Sequence, residues 1–499
     1  MAITDLPSGI SKGLLIDGQW VDASGGTFDV FSPHSGEVLH SIGKCTPADA
    51  ERAIASSKTA FSGWKNTPVS VRAGILRRMT ELMAERGKGE ALAQMVCAEI
   101  GKPIMDAREE ILEYAAPSWR KAAEEVVRHR GETFPSTQEA RTSKRIVQFF
   151  RPLGVVAVIT PYNFPVDIAC IALAHCAAAG NTIVWKPSEY AAAACAMTAD
   201  LFEEAGFPPG VINVVQGVGD VGATLVASDD IKGIFFTGST PTGIRIAREA
   251  VLKPQLLELG GDGPFIILPD ADIDAAVEGA INGCFYYAGQ VCTSAERLLV
   301  HADIHDEFVD KFIAKAKMLK VGNPADEDTD MGPVCNMVTR DRCVRHVEDA
   351  VAKGAQITQV GPSEGLYFPA TILTGVTMEM EIIQEETFGP VAPIVKINSV
   401  QEAIEIANST DLGLICSLWT KDLATAWRVA EAVPHGTVNI NETSNYWDQL
   451  APFGGTGSSG VGRELSKWFM DTFTESKLMV FDLGDEGRQE GRAKAEGGW

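Results

Sequence analysis

A strand–turn–helix unit that repeats from Pro152 onwards is the feature that most constrains the fold. Apolar runs at 155–159, 181–187, 210–215 and 232–237 are separated by helix-length stretches, the first of them rich in alanine. Continuous apolar runs are typical of parallel strands, which are buried on both faces. Strands that alternate with helices indicate a doubly wound α/β sheet.

The ends of these runs carry small and polar residues. Tyr162-Asn163, Lys186 and Thr237-Gly238-Ser239 each follow a predicted strand. Sheets of this kind bind ligands beyond the carboxyl ends of their strands. We therefore expect the three stretches to converge on one binding site.

The alternation restarts after residues 257–261, which we interpret as a domain junction. A strand is predicted at 265–268, a helix at 272–288, a strand at 297–301 and a helix at 304–319. At 499 residues the chain is too long for a single ordinary core. Two or three domains are therefore expected.

The N-terminal part differs from this pattern. Residues 14–22 predict a hairpin, and Asp17-Gly18 supplies its turn. Thr46 and Pro47 are typical of the N-cap and first position of a helix. A helical layer is predicted from there to about residue 125.

Residues 126–150 alternate in polarity and predict an exposed strand pair that needs another chain or domain to cover it. A further strand is predicted at 478–482. Residues 485–499 are charged and glycine-rich and predict a loose tail.

Charge and cysteine usage exclude several classes of partner. The chain has 66 acidic and 43 basic residues and a net charge of −23, which argues against nucleic acid and anionic membranes. Its ten cysteines form no Cys-x-x-Cys pair, so neither a zinc ribbon nor a disulfide framework is indicated. We expect no signal peptide and no membrane span, and a reducing, cytoplasmic location.

Residues 289–294 (GQVCTS) place Cys292 on a loop just before the strand at 297–301. A thiolate nucleophile needs a position of this kind, rigidly held and facing a cleft. The alternative is that Cys292 simply packs, because free cysteine is among the most buried residue types.

Two glycine-rich stretches are candidates for dinucleotide binding. Residues 217–222 read G-x-G-x-x-G between a predicted strand and a helix. The acidic residue expected about 20 positions later is missing, because residues 234–243 contain no Asp or Glu. Residues 236–243 combine glycines, hydroxyls and Pro241 at a helix start that could hold a pyrophosphate; an ordinary Gly/Ser loop is the alternative.

Glu258 and Asn163 suit the chemistry of Cys292. Burial between leucines would raise the pKa of Glu258 and make it a general base, although a satisfied core or surface glutamate is the alternative. Asn163 offers an amide donor for an oxyanion, or simply occupies a Pro-flanked turn. Together the three predict thiolate attack on a carbonyl, hydride loss to a nicotinamide and hydrolysis of a thioester, with no metal.

The chain resembles the NAD(P)-dependent aldehyde dehydrogenase superfamily over nearly its whole length. The resemblance is carried by stretches in the family's order: PYNFP at 161–165, AGNT at 179–182 with KPSE at 186–189, FTGS at 236–239, LELGG at 257–261, GQVC at 289–292, ETFGP at 386–390 and PFGG at 452–455. It implies an aldehyde dehydrogenase-like α/β fold with two doubly wound Rossmann-type domains and a small β oligomerisation arm.

The resemblance also implies roles for individual residues. The implied catalytic residues are Cys292 as nucleophile, Glu258 as general base, Asn163 with the Cys292 backbone N–H as oxyanion hole, and Glu464 in proton relay. The implied cofactor-binding residues are Thr160, Pro161, Lys186, Glu189, Gly219, Ser239, Glu386 and Phe388. The implied substrate pocket comprises Phe164, Asp167, Ile171, Tyr286, Val291, Thr293, Trp447 and Phe453.

The implied domain limits follow the same resemblance. They are 12–125 with 151–258 for the NAD-binding domain, 259–445 for the catalytic domain, 126–150 with 465–484 for the oligomerisation arm, and 485–499 for a flexible tail.

Three positions depart from the family's pattern. Ala172 and Asp262 stand where it usually has lysine, and the lysine near Gly457 is missing. These changes put the hydrogen bonding around Glu258 in question. Glu189 favours NAD, because a carboxylate would bond the ribose hydroxyls and repel a 2′-phosphate; NADP is the second possibility.

The expected substrate is a small-molecule aldehyde, with semialdehydes and hydroxyaldehydes as the candidate classes. The implied pocket is largely aromatic, and Asp167 would attract a cationic or hydroxylated aldehyde or else point to solvent. No arginine occupies these positions, so an anionic substrate is not expected, although residues 441–444 resemble the lactaldehyde and semialdehyde branches. The arm predicts a homodimer or homotetramer.

Two other functions compete with this prediction. One is a CoA-acylating semialdehyde dehydrogenase, which Glu258 argues against because water activation would be superfluous. The other is a catalytically idle structural member of the fold, which the intact cysteine, base and amide donor argue against.

Overall fold

The computed structural model describes residue 6, residues 9–138, residue 141 and residues 143–484. The predicted tail at 485–499 lies outside the described residues.

The strands of the described residues are β1 (Gly13–Ile16), β2 (Gln19–Asp22), β3 (Thr27–Phe31), β4 (Val38–Gly43), β5 (Thr133–Pro135), β6 (Lys144–Pro152), β7 (Val155–Ile159), β8 (Thr182–Lys186), β9 (Ile212–Val215), β10 (Ile231–Thr237), β11 (Gln255–Glu258), β12 (Pro264–Ile267), β13 (Arg297–His301), β14 (Gln356–Val360), β15 (Ala370–Thr374), β16 (Val391–Ile397), β17 (Leu412–Gly413), β18 (Ile415–Trp419), β19 (Thr437–Ile440), β20 (Thr456–Gly457), β21 (Gly460–Val461) and β22 (Thr474–Asp482).

The helices are α1 (Pro47–Trp64), α2 (Val69–Ala84), α3 (Arg86–Ile100), α4 (Ile104–Glu109), α5 (Ala116–Arg128), α6 (Asp167–Ala179), α7 (Ala192–Ala199), α8 (Leu201–Ala205), α9 (Gly219–Ala227), α10 (Thr240–Glu249), α11 (Ile273–Phe285), α12 (His305–Ala316), α13 (Met337–Ala352), α14 (Glu381–Gln384), α15 (Val400–Ala407), α16 (Leu423–Ala432) and α17 (Ser466–Thr472). A π-helical turn, Glu110–Ala115, joins α4 to α5.

The first sheet has eight strands in the order β2-β1-β9-β8-β7-β10-β11-β21. The five strands from β9 to β11 are parallel, and β7 lies between β8 and β10. This order reverses direction at β7, which confirms the predicted doubly wound α/β sheet. Alternate side chains of β7 enter two different cores: Val156 and Val158 pack on one face, and Val155 and Ala157 on the other.

The N-terminal predictions are also confirmed. Asp17 and Gly18 both have positive φ, 52° and 76°, as a tight hairpin turn requires. Thr46 caps α1 through a reciprocal capping box with Asp49. Helices α1 to α5 form the predicted helical layer, and α5 extends to Arg128, slightly beyond the expected end.

The second sheet has seven strands in the order β14-β15-β16-β13-β12-β18-β19. All neighbours are parallel except β14 with β15. The α/β alternation therefore restarts after residue 261 as predicted. The predicted domain limits stay a prediction.

The third sheet is antiparallel and has the order β22-β6-β5. It includes the strand pair predicted within residues 126–150, and β22 pairs with β6 over nine residues. Leu478, Met479, Val480 and Phe481 are exposed along β22. This sheet therefore presents an apolar surface to solvent. Among the described residues, no helix is long and apolar enough to cross a membrane.

Candidate active site

A cavity of about 620 Å³ lies at the carboxyl ends of β7, β8 and β10, where the sequence predicted a convergence. The stretches after these strands, represented by Thr160, Lys186 and Ser239, all line it. Helix α9 contributes Gly219 and Gly222 from the side of β9. The cavity thus occupies the usual ligand position of a doubly wound sheet.

All eight residues predicted to bind the cofactor line this cavity: Thr160, Pro161, Lys186, Glu189, Gly219, Ser239, Glu386 and Phe388. Two of the predicted catalytic residues, Asn163 and Cys292, also line it. One cavity therefore holds residues from both halves of the chain.

The residues of the first sheet fit a dinucleotide. The Lys186 ammonium is buried and lies 3.6 Å from the Glu189 carboxylate, so the two present a donor and an acceptor side by side. A β-carbon at Gly219 would meet nothing within 4 Å, which leaves open space beside the first turn of α9. Ser239 precedes α10, and its hydroxyl caps no backbone N–H of that helix, whose first amides remain available to a phosphate.

The G-x-G-x-x-G motif at 217–222 does not have the geometry of the usual fingerprint. The motif follows β9, which lies at one end of the five parallel strands. The first of these strands in the chain is β7, which lies in the middle of the five. The turn after β7 is instead the Thr160–Pro165 stretch. Gly219 and Gly222 still border the cavity, so the motif adjoins the candidate binding site without the predicted topology.

Cys292 lies on a tightly wound loop after α11. Tyr287 and Ala288 have φ of 44° and 52°, and Gly289 has φ of 67°. A β-carbon at Gly289 would collide with the carbonyl oxygen of Gly389, so only glycine allows this approach. The other nine cysteines are buried, and Cys292 is partly exposed to the cavity.

The charge environment of Cys292 is negative. Burial raises the pKa of its thiol, and the carboxylates of Glu258, Glu386 and Glu464 raise it further. The thiol is therefore protonated at neutral pH and needs a proton acceptor before it can attack.

Asn163 is buried directly after the turn that follows β7. Its amide nitrogen donates to the carbonyl oxygen of Gln290 at 3.1 Å, which ties it to the Cys292 loop. One of its two N–H groups remains for another acceptor. The Asn163 amide and the Cys292 loop thus share a fixed orientation.

Glu258 ends β11 and is buried, as the sequence indicated. Its pKa is raised well above the ordinary value by burial and by the charge of Glu464, while Arg463 and the Gly455 amide favour the charged form. Its oxygens accept no well-formed hydrogen bond from the described residues. A β-carbon at Gly454 would lie 2.5 Å from Glu258 Oε1, so this glycine provides the space for the carboxylate.

Glu464 is buried beside Phe453, with which its backbone forms an antiparallel bridge. The Thr237 hydroxyl donates to its carboxylate at 3.4 Å, and burial raises its pKa to about 8. Glu258 and Glu464 therefore form a pair of carboxylates that can hold protons near neutral pH.

The Glu386–Phe388 loop approaches from the second sheet. The Gly261 amide donates to Glu386 at 3.2 Å, and burial raises the pKa of Glu386 to about 7. Phe388 has φ of 54°, a strained conformation for a bulky residue. Glu296 accepts from the backbone N–H groups of Thr387 at 2.5 Å and Phe388 at 2.7 Å.

The predicted substrate residues do not line the large cavity. Val291 is buried in the core against which Phe164, Tyr286, Trp447 and Phe453 pack. The Thr293 hydroxyl donates to Asn445 at 2.9 Å and joins the loop to the Trp447 segment. Ile171 is buried within α6. The solvent-facing alternative for Asp167 is wrong, because this side chain is only 2% exposed.

The two departures at lysine positions have different consequences. Ala172 is fully buried in α6 and offers no charge to Glu258 or Glu464. Asp262 forms a buried ion pair with Arg297 at 2.8 Å, and Thr410 donates to its carboxylate. Asp262 therefore stabilises the packing around β13. Glu258 stays buried although Asp262 replaces the lysine that the family usually has.

Sequence analysis missed several residues of the site. Asn336, Val338, Thr339 and Arg342 line the cavity from the start of α13, and Glu296 holds the Phe388 loop. The sequence of α13 contains no motif that indicates a binding site. One feature of the sequence could have indicated Glu296: the charged pair Glu296-Arg297 stands at the start of an otherwise apolar strand.

Three comparisons relate the chain to known proteins. The sequence profile of the aldehyde dehydrogenase family matches residues 20–479. The glutarate-semialdehyde dehydrogenase of Pseudomonas putida is 38% identical over 473 residues, which cover 94% of this chain and 97% of that protein. An NADP-dependent enzyme of E. coli has a similar structure, with a TM-score of 0.92, 36% identity, and coverage of 96% of this chain and 100% of that one. The structure of betaine aldehyde dehydrogenase of Staphylococcus aureus in complex with NAD+ is also similar. Its TM-score is 0.91 and its sequence identity 33%, with coverage of 95% of this chain and 95% of that one.

Proposed function

Because the chain belongs to the aldehyde dehydrogenase family, we propose that it oxidises an aldehyde to the carboxylate with NAD through a covalent bond to Cys292. The observation that carries the proposal is the partly exposed Cys292 thiol, which borders the dinucleotide-sized cavity and is tied to Asn163 through Gln290. The protein is an NAD(P)-dependent oxidoreductase, as its relatives are.

The first step is attack of the Cys292 sulfur on the aldehyde carbon. The thiol proton passes to a carboxylate. Glu258 suits this role because its raised pKa makes it a stronger proton acceptor than an ordinary glutamate. As the carbon–sulfur bond forms, the carbonyl oxygen gains negative charge. The free N–H of Asn163 and the backbone N–H of Cys292 are the donors that we assign to this oxygen.

Oxidation and hydrolysis complete the reaction. Lys186, Glu189, Ser239 and Phe388 would hold the dinucleotide, whose nicotinamide would accept a hydride from the aldehyde carbon. Cys292 would then carry the substrate as a thioester. Glu258 first gives up to Glu464 the proton that it took from the thiol. It then takes a proton from water as the water oxygen attacks the thioester carbon, and it passes this proton to the departing sulfur, which restores the Cys292 thiol. The acid that forms loses its own proton to solvent and leaves as the carboxylate. Glu464, coupled to Glu258, passes the proton towards Thr237 and solvent.

The choice of NAD over NADP rests on Glu189. Its carboxylate lies beside Lys186 in the cavity, where it would accept bonds from ribose hydroxyls. A 2′-phosphate in the same place would meet a like charge at close range. We therefore propose NAD as the preferred cofactor and NADP as the weaker one.

The quaternary structure that we propose is a homodimer or homotetramer. The exposed apolar residues of β22 support it, because monomeric proteins rarely leave such a strand open.

The direct test is to incubate the purified protein with NAD+ and a panel of aldehydes and to follow NADH. We expect turnover without CoA, and a higher kcat/KM with NAD+ than with NADP+. Cys292→Ser should reduce turnover by at least about 1,000-fold, since the covalent step is lost. Strict dependence on CoA would instead identify the acylating enzyme, and an iodoacetamide-inert Cys292 together with no turnover would identify an idle member of the fold.

A further inference from the structure

The starting point is a buried carboxylate that lacks a partner. Asp167 begins α6, and its backbone N–H donates to Glu110 at 3.2 Å. Asp167 is 2% exposed, and its Oδ1 is buried and accepts no hydrogen bond from the described residues. Burial of a carboxylate without a hydrogen bond or counter-charge is costly. Burial therefore keeps the Asp167 carboxyl protonated until a cation binds next to it and stabilises the charged form.

The nearest cations are already engaged. Lys102 is fully buried, forms an ion pair with Glu110, and lies 3.6 Å above the centre of the Phe164 ring. The Lys121 ammonium donates to the side chain of Gln449. Neither lysine forms an ion pair with Asp167 among the described contacts, so its counter-charge has to come from elsewhere.

Aromatic rings lie near Asp167, whose charge raises the pKa of Tyr114 and which follows Phe164 closely in the chain. Phe164 and Tyr286 stack with their centres 6.5 Å apart, and Trp447 stacks on Tyr114 at 5.1 Å. Trp447 also contacts Phe453, with a separation of 6.2 Å. All five rings are only partly buried. The faces of such rings attract cations, and quaternary or primary ammonium groups bind in cages of this composition.

The charged groups that shift the pKa values of Tyr286 and Tyr114 are negative, whereas Lys102 lies over the Phe164 ring. Asp106, Glu109 and Glu110 raise the pKa of Tyr286 in addition to its burial. Burial, Glu109 and Asp167 raise the pKa of Tyr114 to about 12. A space bordered by several carboxylates attracts cations and repels a carboxylate-bearing aldehyde.

We infer that this site takes an aldehyde that carries an ammonium-type positive charge, with Asp167 as its counter-ion and Phe164, Tyr286 and Trp447 around it. The inference deepens the proposed aldehyde oxidation and rests on it. It also separates this chain from the relative named for glutarate semialdehyde, whose substrate ends in a carboxylate.

The test compares three aldehydes on the wild-type enzyme with saturating NAD+. They are 3-aminopropanal, its uncharged isostere butanal, and glutarate semialdehyde. We expect kcat/KM to be at least about 10-fold higher for 3-aminopropanal than for butanal, and lowest for glutarate semialdehyde, in line with the energy of a partly desolvated cation–π and ion-pair contact. Tetramethylammonium chloride should inhibit butanal oxidation competitively, relative to sodium chloride at the same ionic strength.

The Asp167→Asn variant tests the residue itself. Its ratio of kcat/KM for 3-aminopropanal over butanal should fall towards 1, while Asp303→Asn, which removes a charge from a 74% exposed side chain, should keep the wild-type ratio. Equal rates for the charged and uncharged aldehydes, or no competition by tetramethylammonium, would overturn the inference even if the variant failed to fold. If no aldehyde reacted at all, the proposed function itself would be wrong, whereas oxidation of butanal with no charge preference would leave it intact.

Discussion

Two carboxylates of the site lie against glycines, and the missing β-carbons decide where they can sit. Gly454 leaves room for the Glu258 carboxylate, and Gly260 leaves room for that of Glu386. Both glycines belong to stretches that sequence analysis recognised without explaining their glycines. The structure supplies the explanation, because a side chain at either position would occupy the place of a carboxylate oxygen.

We predict that Gly454→Ala slows the second half of the reaction. The new methyl group would displace Glu258, and φ of 151° at this position adds backbone strain. Steady-state kcat should fall at least about 10-fold, the usual scale for a misplaced general base. A burst of NADH equal to the enzyme concentration should persist, because water is a weaker acid than a thiol and its activation depends more strongly on Glu258. Gly74→Ala, in the open on α2, is the matched control and should keep the wild-type rate. Loss of the burst would contradict this expectation and show that transfer of the thiol proton to Glu258 is slowed as much as the activation of water.

Glu296 is the residue-scale feature that the sequence did not reveal. It is buried, and its two oxygens accept from consecutive amides, those of Thr387 and Phe388. The partners lie about ninety positions away in the chain, so no local pattern could connect them. The bidentate contact holds Phe388 in its left-handed conformation at the edge of the cavity.

We predict that Glu296→Gln weakens cofactor binding more than it slows chemistry. The amide has one acceptor where the carboxylate has two, so one loop N–H loses its partner, at a cost of about 1–3 kcal/mol. KM for NAD+ and the dissociation constant of NADH, measured by its fluorescence, should both rise by about 10-fold, with a smaller change in kcat. Glu385→Gln, an exposed neighbour in the same loop, is the control. An unchanged dissociation constant would refute the role of Glu296.

At the scale of elements, the fold was predictable wherever hydrophobic periodicity was strong. The strand at 297–301 was predicted to the residue, and β7, β8 and β10 were placed within one or two residues. Strand order was not predictable in the same way. The motif at 217–222 has the right local pattern, yet it follows β9 rather than the central β7, because a sequence motif does not specify the position of its strand in the sheet.

The exposed strand β22 gives the prediction at this scale. Leu478 and Val480 lie on one face of the strand and are 56% and 57% exposed. The double variant Leu478→Asp/Val480→Asp should dissociate the oligomer into monomers in size-exclusion chromatography with light scattering, because charges placed in an apolar interface lose hydration without gaining partners. Leu423→Asp/Trp427→Asp alters an equally exposed apolar pair on α16 and should leave the mass unchanged. A wild-type protein that is already monomeric would contradict the proposed assembly.

At the scale of the whole molecule, residues associated with both large sheets line the cavity, and several buried acidic residues lie near it. Lys186 and Ser239 reach the cavity from the first sheet, and Arg342 and Glu386 reach it from beyond the second. Sequence analysis located most of these residues but not their burial, since burial depends on how the two sheets meet. Several carboxylates therefore sit at low exposure near the junction, among them Glu258, Glu464 and Asp167.

These acids predict an unusual dependence of stability on pH. Burial raises the pKa of Glu99 and Glu464 to about 8, and the pKa values of Glu258 and Asp167 lie well above the ordinary range. In the unfolded chain the same groups titrate near pH 4, so the folded protein binds more protons than the unfolded one between about pH 4 and pH 8. The buried histidines His40, His175 and His346, whose pKa values are lowered, oppose this effect below about pH 6.5. Above that pH the carboxyls dominate, and the free energy of unfolding should fall as the pH rises.

The measurement is the midpoint of thermal unfolding between pH 6.5 and pH 8.5, where ordinary carboxylates are fully ionised. We expect the midpoint to fall by at least about 5 °C, since a kcal/mol corresponds to a few degrees in a domain of this size. Added sodium chloride should change the slope little, because salt screens buried charges far less than surface ones. Glu464→Gln removes one of the buried groups and should flatten the slope, whereas Glu475→Gln, on the exposed face of β22, should not. A midpoint that stayed constant or rose across this range would mean that these carboxylates are ionised in the folded protein, and the proton-transfer role assigned to Glu258 and Glu464 would lose its physical basis.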